Sequence, residues 1–240
     1  MKAPPYELLP WDTGFFGFKV ARLSEAVQNS HNLDQILDSA KQDDISLIYG
    51  FFDPEEDLIN GKAKDLGGLL VDEKITFARE IKEPFGPKGL VPIVSYLNQP
   101  PSETLHALSI QSGEYSRYRV DPNISEKKFE ELYRIWMQKS LSGTIANEVF
   151  VAEDQGAPVG MITLKHQKQT GEIKLIGVDY RSRGRHIGWD LVQHSIKWCL
   201  KRRCNTIEVV TQKANLTACR FYKKCGFHEK HTVNVYHFWI

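Results

Sequence analysis

The sequence predicts an α/β fold built on a mixed sheet, and three observations lead there. Beyond residue 101 the periodicities read helix, three strands, helix, strand, helix, strand, which is an α/β layer rather than a bundle or a sandwich. Before it, short apolar runs alternate with polar stretches of helical spacing. Composition is that of an ordinary globular chain, 41% hydrophobic and 25% charged over 240 residues, which excludes wholesale disorder. The length suits two small domains, and the change in character at Pro100-Pro101 divides the chain into 1–100 and 101–240.

In the first part the strand candidates are Phe15–Leu23, Ile45–Phe52 and Gly68–Ile81, with a helix over Asn32–Gln42. Glu83–Lys88 holds two prolines and a glycine and reads as a loop; Val91–Leu97 is a further short strand. Ser102 caps a helix after Pro101, and Ser125 caps another whose Phe129, Leu132, Tyr133, Trp136 and Met137 share one face. Strands follow at Glu148–Asp154, Pro158–His166 and Gly171–Val178. A helix spans about Gly188–Arg203, and Thr206–Thr211 is a strand. The helix Leu216–Lys224 stops at Gly226, where a left-handed cap fits, and Thr232–Ile240 closes as a strand.

Charge and cysteine content narrow the function classes. Lys plus Arg is 31 against 30 for Asp plus Glu, a net charge of +1, so no global field attracts nucleic acid or anionic membrane and any anion site is local. No apolar run nears the roughly 18 residues of a bilayer span. Met1–Glu7 lacks the apolar core of a signal peptide. Cys199, Cys204, Cys219 and Cys225 have neither zinc-site nor disulfide-framework spacing, so free thiols in a reducing cytoplasm are expected and no metal is implied.

Two stretches carry chemistry. In Ile176–Val192 a strand runs through an Arg- and Gly-rich turn into a helix start, which aims unpaired N–H groups and a helix dipole at one spot. Gly184 and Gly188 admit an anion close to the backbone, and Arg181, Arg183 and Arg185 add charge; a pyrophosphate suits such a site. In Thr211–Phe227, Asn215 caps a helix on which Ala218 and Tyr222 share a face.

Together these stretches resemble the GNAT superfamily of acyl-CoA N-acyltransferases over roughly Ile145–Ile240. The superfamily's pyrophosphate loop reads Arg/Gln-x-x-Gly-x-Gly/Ala; here Arg183-Gly-Arg-His-Ile-Gly188 matches it, with His186 in place of the middle glycine. The resemblance implies a mixed, mostly antiparallel sheet flanked by helices, with a smaller N-terminal α/β domain on the acceptor side. It implies acetyl-CoA as cosubstrate, its pyrophosphate on Arg183, Gly184, Arg185, His186, Ile187 and Gly188. Ile176 and Val178 would pair with the pantetheine arm, Asn215 would bond it, and Tyr222 would be the general acid. Ser112–Pro122 and the opening Leu9-Pro-Trp-Asp-Thr-Gly-Phe-Phe-Gly resemble the dTDP-fucosamine acetyltransferases and related nucleotide-amino-sugar N-acyltransferases. That second resemblance implies an acceptor wall at Tyr115, Ser116, Arg117 and Tyr118, and an acyl transfer onto a dTDP-linked deoxy amino sugar for surface polysaccharide.

Such a transfer needs a neutral amine beside a thioester, donors for the developing oxyanion and a proton for the thiolate. With a thiol near pKa 8.5 and a phenol near 10, Tyr222 is expected to donate without large perturbation. His166, Glu172 and Asp179 are the polar candidates for a base, and none is singled out. Other readings stay open: acylation of a protein or another small-molecule amine, a non-catalytic acyl-CoA sensor, or a nucleic-acid patch at Lys197–Arg203. That last run more simply complements a helix dipole, so neither nucleic acid nor membrane is an expected partner; a homodimer is left open.

Overall fold

The computed structural model describes residues 5–24, 27, 32–84, 86–89 and 91–240. Met1–Pro4 of the N-terminus and Phe85 of the expected loop lie outside the described residues. The elements run β1 (Tyr6–Leu8), α1 (Pro10–Phe16), β2 (Lys19–Leu23), α2 (Leu33–Gln42), β3 (Ile45–Phe52), α3 (Asp57–Asp65), β4 (Leu69–Glu80) and β5 (Ile93–Ser95). They continue α4 (Glu103–Ser112), α5 (Arg117–Val120), α6 (Glu126–Leu141), β6 (Glu148–Asp154), β7 (Ala157–Gln167) and β8 (Thr170–Val178). After a 3-10 turn at Tyr180–Ser182 come α7 (Ile187–Lys201), β9 (Thr206–Gln212), α8 (Leu216–Lys224) and β10 (His228–Trp239).

All ten strands join one sheet in the order β1-β2-β3-β10-β4-β9-β8-β7-β6-β5. Every pairing is antiparallel except β2–β3 and β8–β9. The sheet is thus mixed and mostly antiparallel, with helices on both faces. The C-terminal β10 lies between β3 and β4 and joins the first strands of the chain to the last.

Helices α4 and α6 start where their serines dictate: Leu105 N donates to Ser102 Oγ at 3.2 Å and Lys128 N to Ser125 Oγ at 3.3 Å, caps worth about 1 kcal/mol each. Gly226 takes φ +82 just beyond α8, the left-handed stop expected there. Two parts differ from the expectation. The strand expected from Phe15 begins only at Lys19, because Pro10 at the first turn and Gly17 at φ +83 enclose a helix between them. Its aromatics Trp11 and Phe15, four apart, stack with ring centroids 5.3 Å apart. Strand β10 starts four residues early, at His228, since backbone pairing with Ala78 recruits an exposed polar stretch that no alternation marks.

Two features position the site. The faces carry separate cores: Ile75, Phe77, Ile173 and Val209 pack with α7 and α8 on one side, whereas Leu47, Tyr49, Tyr118, Phe129 and Tyr133 pack on the other. Then β8 and β9 pair only from Thr170↔Thr206 to Ile173↔Val209. Beyond that point the two strands splay, and Lys174–Val178 faces Val210–Gln212 across an open slot through the sheet.

Candidate active site

The slot opens into a cavity of about 1090 Å³ that reaches both faces of the sheet. Ile176, Val178, Arg183, Gly184, His186, Ile187, Gly188, Asn215 and Tyr222 line it, and so do Tyr115, Ser116, Arg117 and Tyr118. The structure therefore brings together nearly all the residues singled out from the sequence. Arg185 turns away. It lines a neighbouring hollow and holds Asp154 at 2.6 Å, so only its backbone remains beside the loop.

The turn before α7 is built for an anion. Gly184 has φ +81 and His186 φ +60. Two left-handed residues, with one residue between them, curl the backbone so that successive N–H groups converge. The helical bonding of α7 opens with Asp190 N donating to His186 O, so the preceding amides have no acceptor inside the helix. His186 occupies a conformation that a β-carbon disfavours by roughly 1–2 kcal/mol. Where the resembled motif has glycine, this chain has a histidine at positive φ. Gly188 sits close against α8: a β-carbon there would lie 3.2 Å from the Phe221 ring and 3.7 Å from Val178 Cγ2.

Strand β8 is already engaged at its end. The Val178 carbonyl accepts from Gln111 Nε2 at 2.8 Å, so a pantetheine arm pairing there has to share that carbonyl or displace the amide. Asn215 spends its Oδ1 on the Ala218 amide at 3.0 Å and fixes the start of α8. The buried Arg79 of β4 fixes the other end through a bond of 2.6 Å to the Cys225 carbonyl. Between those anchors Tyr222 is 3% exposed, with ring centroids 5.4 to 5.9 Å from Phe77, Phe221 and Phe227. Burial, reinforced by Cys225 and Cys219, raises its pKa above the ordinary phenol range, against the expectation of little perturbation. The hydroxyl is therefore a proton donor at any physiological pH and a poor site for negative charge.

The opposite face supplies what the sequence reading missed. Asp72 and Lys74 alternate with the core-facing Val71 and Ile75 along β4, and both line the cavity. Asp72 Oδ1 is buried without a hydrogen-bond partner. Burial pushes the Asp72 carboxyl up to about 7, against the opposing pull of Arg117, Lys74 and Gln212. Arg117 is held in place: its guanidinium carbon lies 4.1 Å from the Tyr49 ring centroid, and Nη2 donates to Tyr118 Oη at 2.6 Å. The three base candidates named from sequence lie elsewhere. Glu172 pairs with Lys174, Asp179 with Arg181, and the ring of His166 packs edge-on to Trp198; none of the three lines the cavity. A polar pair on a central strand was the available signal, since such a strand meets water only at a cavity.

Nothing among the described residues suggests a metal centre, and no described helix is long and apolar enough to cross a membrane. The four cysteines are free, with Cys199, Cys204 and Cys225 buried.

Comparison with known proteins gives matches of sequence and of fold. Residues 112–227 match the acetyltransferase (GNAT) family. The spore coat polysaccharide biosynthesis protein SpsD of Bacillus subtilis is 26% identical over 58% of this chain and 47% of its own length. The uncharacterized N-acetyltransferase MJ1207 of Methanocaldococcus jannaschii is 32% identical over 45% of this chain and 49% of its own. The chain thus spans about half the length of the curated relatives it matches. A GCN5-related N-acetyltransferase from Sphaerobacter thermophilus superposes with a TM-score of 0.61 at 15% identity, over 98% of this chain and 76% of that one, which establishes likeness of fold.

Proposed function

Residues 112–227 are a domain of the acetyltransferase (GNAT) family, and from that premise we propose that the chain moves an acyl group, acetyl in the simplest case, from acyl-CoA to the amino group of a dTDP-linked deoxy amino sugar. The observation that carries the acceptor assignment is the charge on its side of the slot. Lys74 and Arg117 line that side together with the carboxylates of Asp72 and Glu114, while Lys174, paired with Glu172, and Arg22 are near enough to act on Lys74. Burial lowers the Lys74 pKa first, and Arg117, Lys174 and Arg22 lower it further by repulsion. A wall whose neighbouring cations lower the pKa of Lys74 favours a polyanion, which a nucleotide diphosphate supplies and a protein lysine does not. Tyr115, Tyr118 and Trp136 give the same wall flat apolar surface for a base. The name of the SpsD relative, spore coat polysaccharide biosynthesis, points the same way.

In this reading acetyl-CoA, which supplies the activated acyl group, threads the slot from the α7–α8 face, its pyrophosphate over the amides of Gly184–Gly188. The acceptor enters from the α5–α6 face. Asp72 takes the proton that the amine gives up as the new amide bond forms, and Tyr222 donates a hydrogen bond to the departing sulfur from the other side. Burial keeps Tyr222 protonated, so it steadies the thiolate, and the proton that finally rests on sulfur equals the one removed from the amine. The test is CoA release across a panel of dTDP- and UDP-amino sugars, simple amines and peptides with several acyl donors. Turnover confined to peptides or simple amines contradicts the acceptor assignment.

Two variants probe the halves separately. Gly188→Asp places bulk against Phe221 and a charge beside the pyrophosphate; acetyl-CoA affinity is expected to fall at least about a hundredfold in calorimetry, with the fold intact by circular dichroism. Unchanged affinity removes the loop from the site. Arg117→Gln keeps part of the stem over Tyr49 and deletes the charge. Acceptor KM is expected to rise about tenfold or more while acetyl-CoA affinity stays within twofold. Loss of acetyl-CoA binding instead moves Arg117 to the other substrate.

A further inference from the structure

Residues 86–89, between β4 and β5, are outside the family-matching residues and are strapped across the start of α7. The Lys88 and Gly89 amides donate to the two oxygens of Asp190, each at 2.8 Å, and Asp190 is only 3% exposed. Trp189 Nε1 donates to the Gly86 carbonyl at 3.2 Å. The fit is close: a β-carbon on Gly89 would lie 2.7 Å from Asp190 Oδ2 and 3.0 Å from the Arg185 carbonyl. A buried carboxylate satisfied by two main-chain amides makes the strap part of the α7 N-terminus, not a loose loop.

What the strap delivers there is Lys88. Its Nζ lies 3.8 Å from the centroid of the Trp189 ring, and its charge also acts on the Cys225 thiol at the end of α8. It lines the same cavity as His186, Trp189, Phe221 and Lys224. The other cations nearby are occupied: Arg185 by Asp154, Arg181 by Asp179, Lys223 by Glu229. Among the described residues neither Lys88 nor Lys224 has a carboxylate within ion-pair distance. This leaves Lys88, Lys224 and the Trp189 indole lining the cavity that the anion-binding turn and the end of α8 share. The next charged group of CoA beyond its pyrophosphate is the phosphate on its ribose.

Resting on the acyl-CoA reading above, we propose that Lys88, with Lys224 lining the same cavity, binds the ribose 3′-phosphate of CoA and makes the site select CoA over 3′-dephospho-CoA. The strap fixes the lysine backbone before the ligand arrives, so less freedom is lost on binding. The Trp189 ring holds the ammonium by a cation–π contact and leaves its donors for phosphate.

Calorimetric titration of the intact protein at low salt with CoA and with 3′-dephospho-CoA tests this. The parent is expected to prefer CoA by about tenfold, the scale of one partly screened charge-assisted contact. Lys88→Gln should erase most of that preference by weakening CoA alone, with 3′-dephospho-CoA affinity kept within twofold; Lys88→Arg should restore it. Equal weakening of both ligands, or no change in either, overturns the proposal. Failure of the parent to bind either ligand overturns the acyl-CoA reading along with it, whereas tight binding of both ligands without preference leaves that reading standing and removes Lys88 alone.

Discussion

Replacing Tyr222 with phenylalanine is expected to lower kcat by about 10²–10⁴, roughly 3–5 kcal/mol of barrier, while acetyl-CoA affinity stays within about twofold. The ring contacts with Phe77, Phe221 and Phe227 survive the change, so the melting temperature should move by no more than about 3 °C, near 1 kcal/mol for a chain of this size. The hydroxyl alone disappears. Since burial lifts the phenol pKa above its usual value, full transfer to a thiolate of pKa about 8.5 is uphill, and its contribution is a hydrogen bond that strengthens as charge builds on sulfur. For the same reason the parent's pH profile should show no alkaline fall from Tyr222 below about pH 10. A packing role for the residue makes the opposite forecast, because phenylalanine is then a mild substitution. Steady-state and single-turnover kinetics decide: kcat within threefold of the parent, with chemistry rate-limiting, ends the acid assignment.

The sequence exposed one side of this site well and the other poorly, for a physical reason. A cosubstrate gripped by its pyrophosphate needs a contiguous device, a strand, a turn and a helix start, and contiguity is what a sequence displays: Arg183–Gly188 and Asn215–Tyr222 were both legible. The proposed acceptor side is assembled from Phe51, Asp72 and Lys74 of the early strands, Arg117 of a four-residue helix and Val235 of the last strand. No spacing links them. They meet because β10 pairs with both β3 and β4, a long-range pairing that local periodicity does not encode. The same holds for the proposed base. Glu172 and Asp179 were near the right strand in sequence, but each turned out to have an adjacent cation as partner. Asp72 has charged neighbours in Val71-Asp-Glu-Lys74 and no local pattern that singles it out; the fold shows that its face of β4 borders a cavity.

Asp72→Asn is the sharpest test of that assignment, because activity and stability should move in opposite directions. A base works only when deprotonated, so kcat/KM of the parent should rise with pH through an apparent pKa close to the value of about 7 that burial imposes on Asp72. The asparagine variant should lose about 10²–10⁴ in kcat/KM at pH 8 and lose that rising limb, retaining only the titration of the amine itself. Acetyl-CoA binding, on the far face of the sheet, should be untouched. For stability the sign follows from proton uptake. The folded carboxyl holds its proton up to about 7, whereas an unfolded aspartate releases it near 3.9. Between those values the native state binds the extra proton, so this residue's contribution to stability falls as pH rises and is lowest above 7. Asparagine resembles the protonated form and escapes the penalty. The variant should therefore melt above the parent at pH 8, and the gap should shrink toward pH 5. Thermal melts and pH–rate profiles on the same two proteins read out both halves. A variant that keeps the parent's rising limb, or that melts lower than the parent at pH 8, shows that Asp72 is an ion-pair partner of Arg117 and Lys74 rather than the group that accepts the amine's proton.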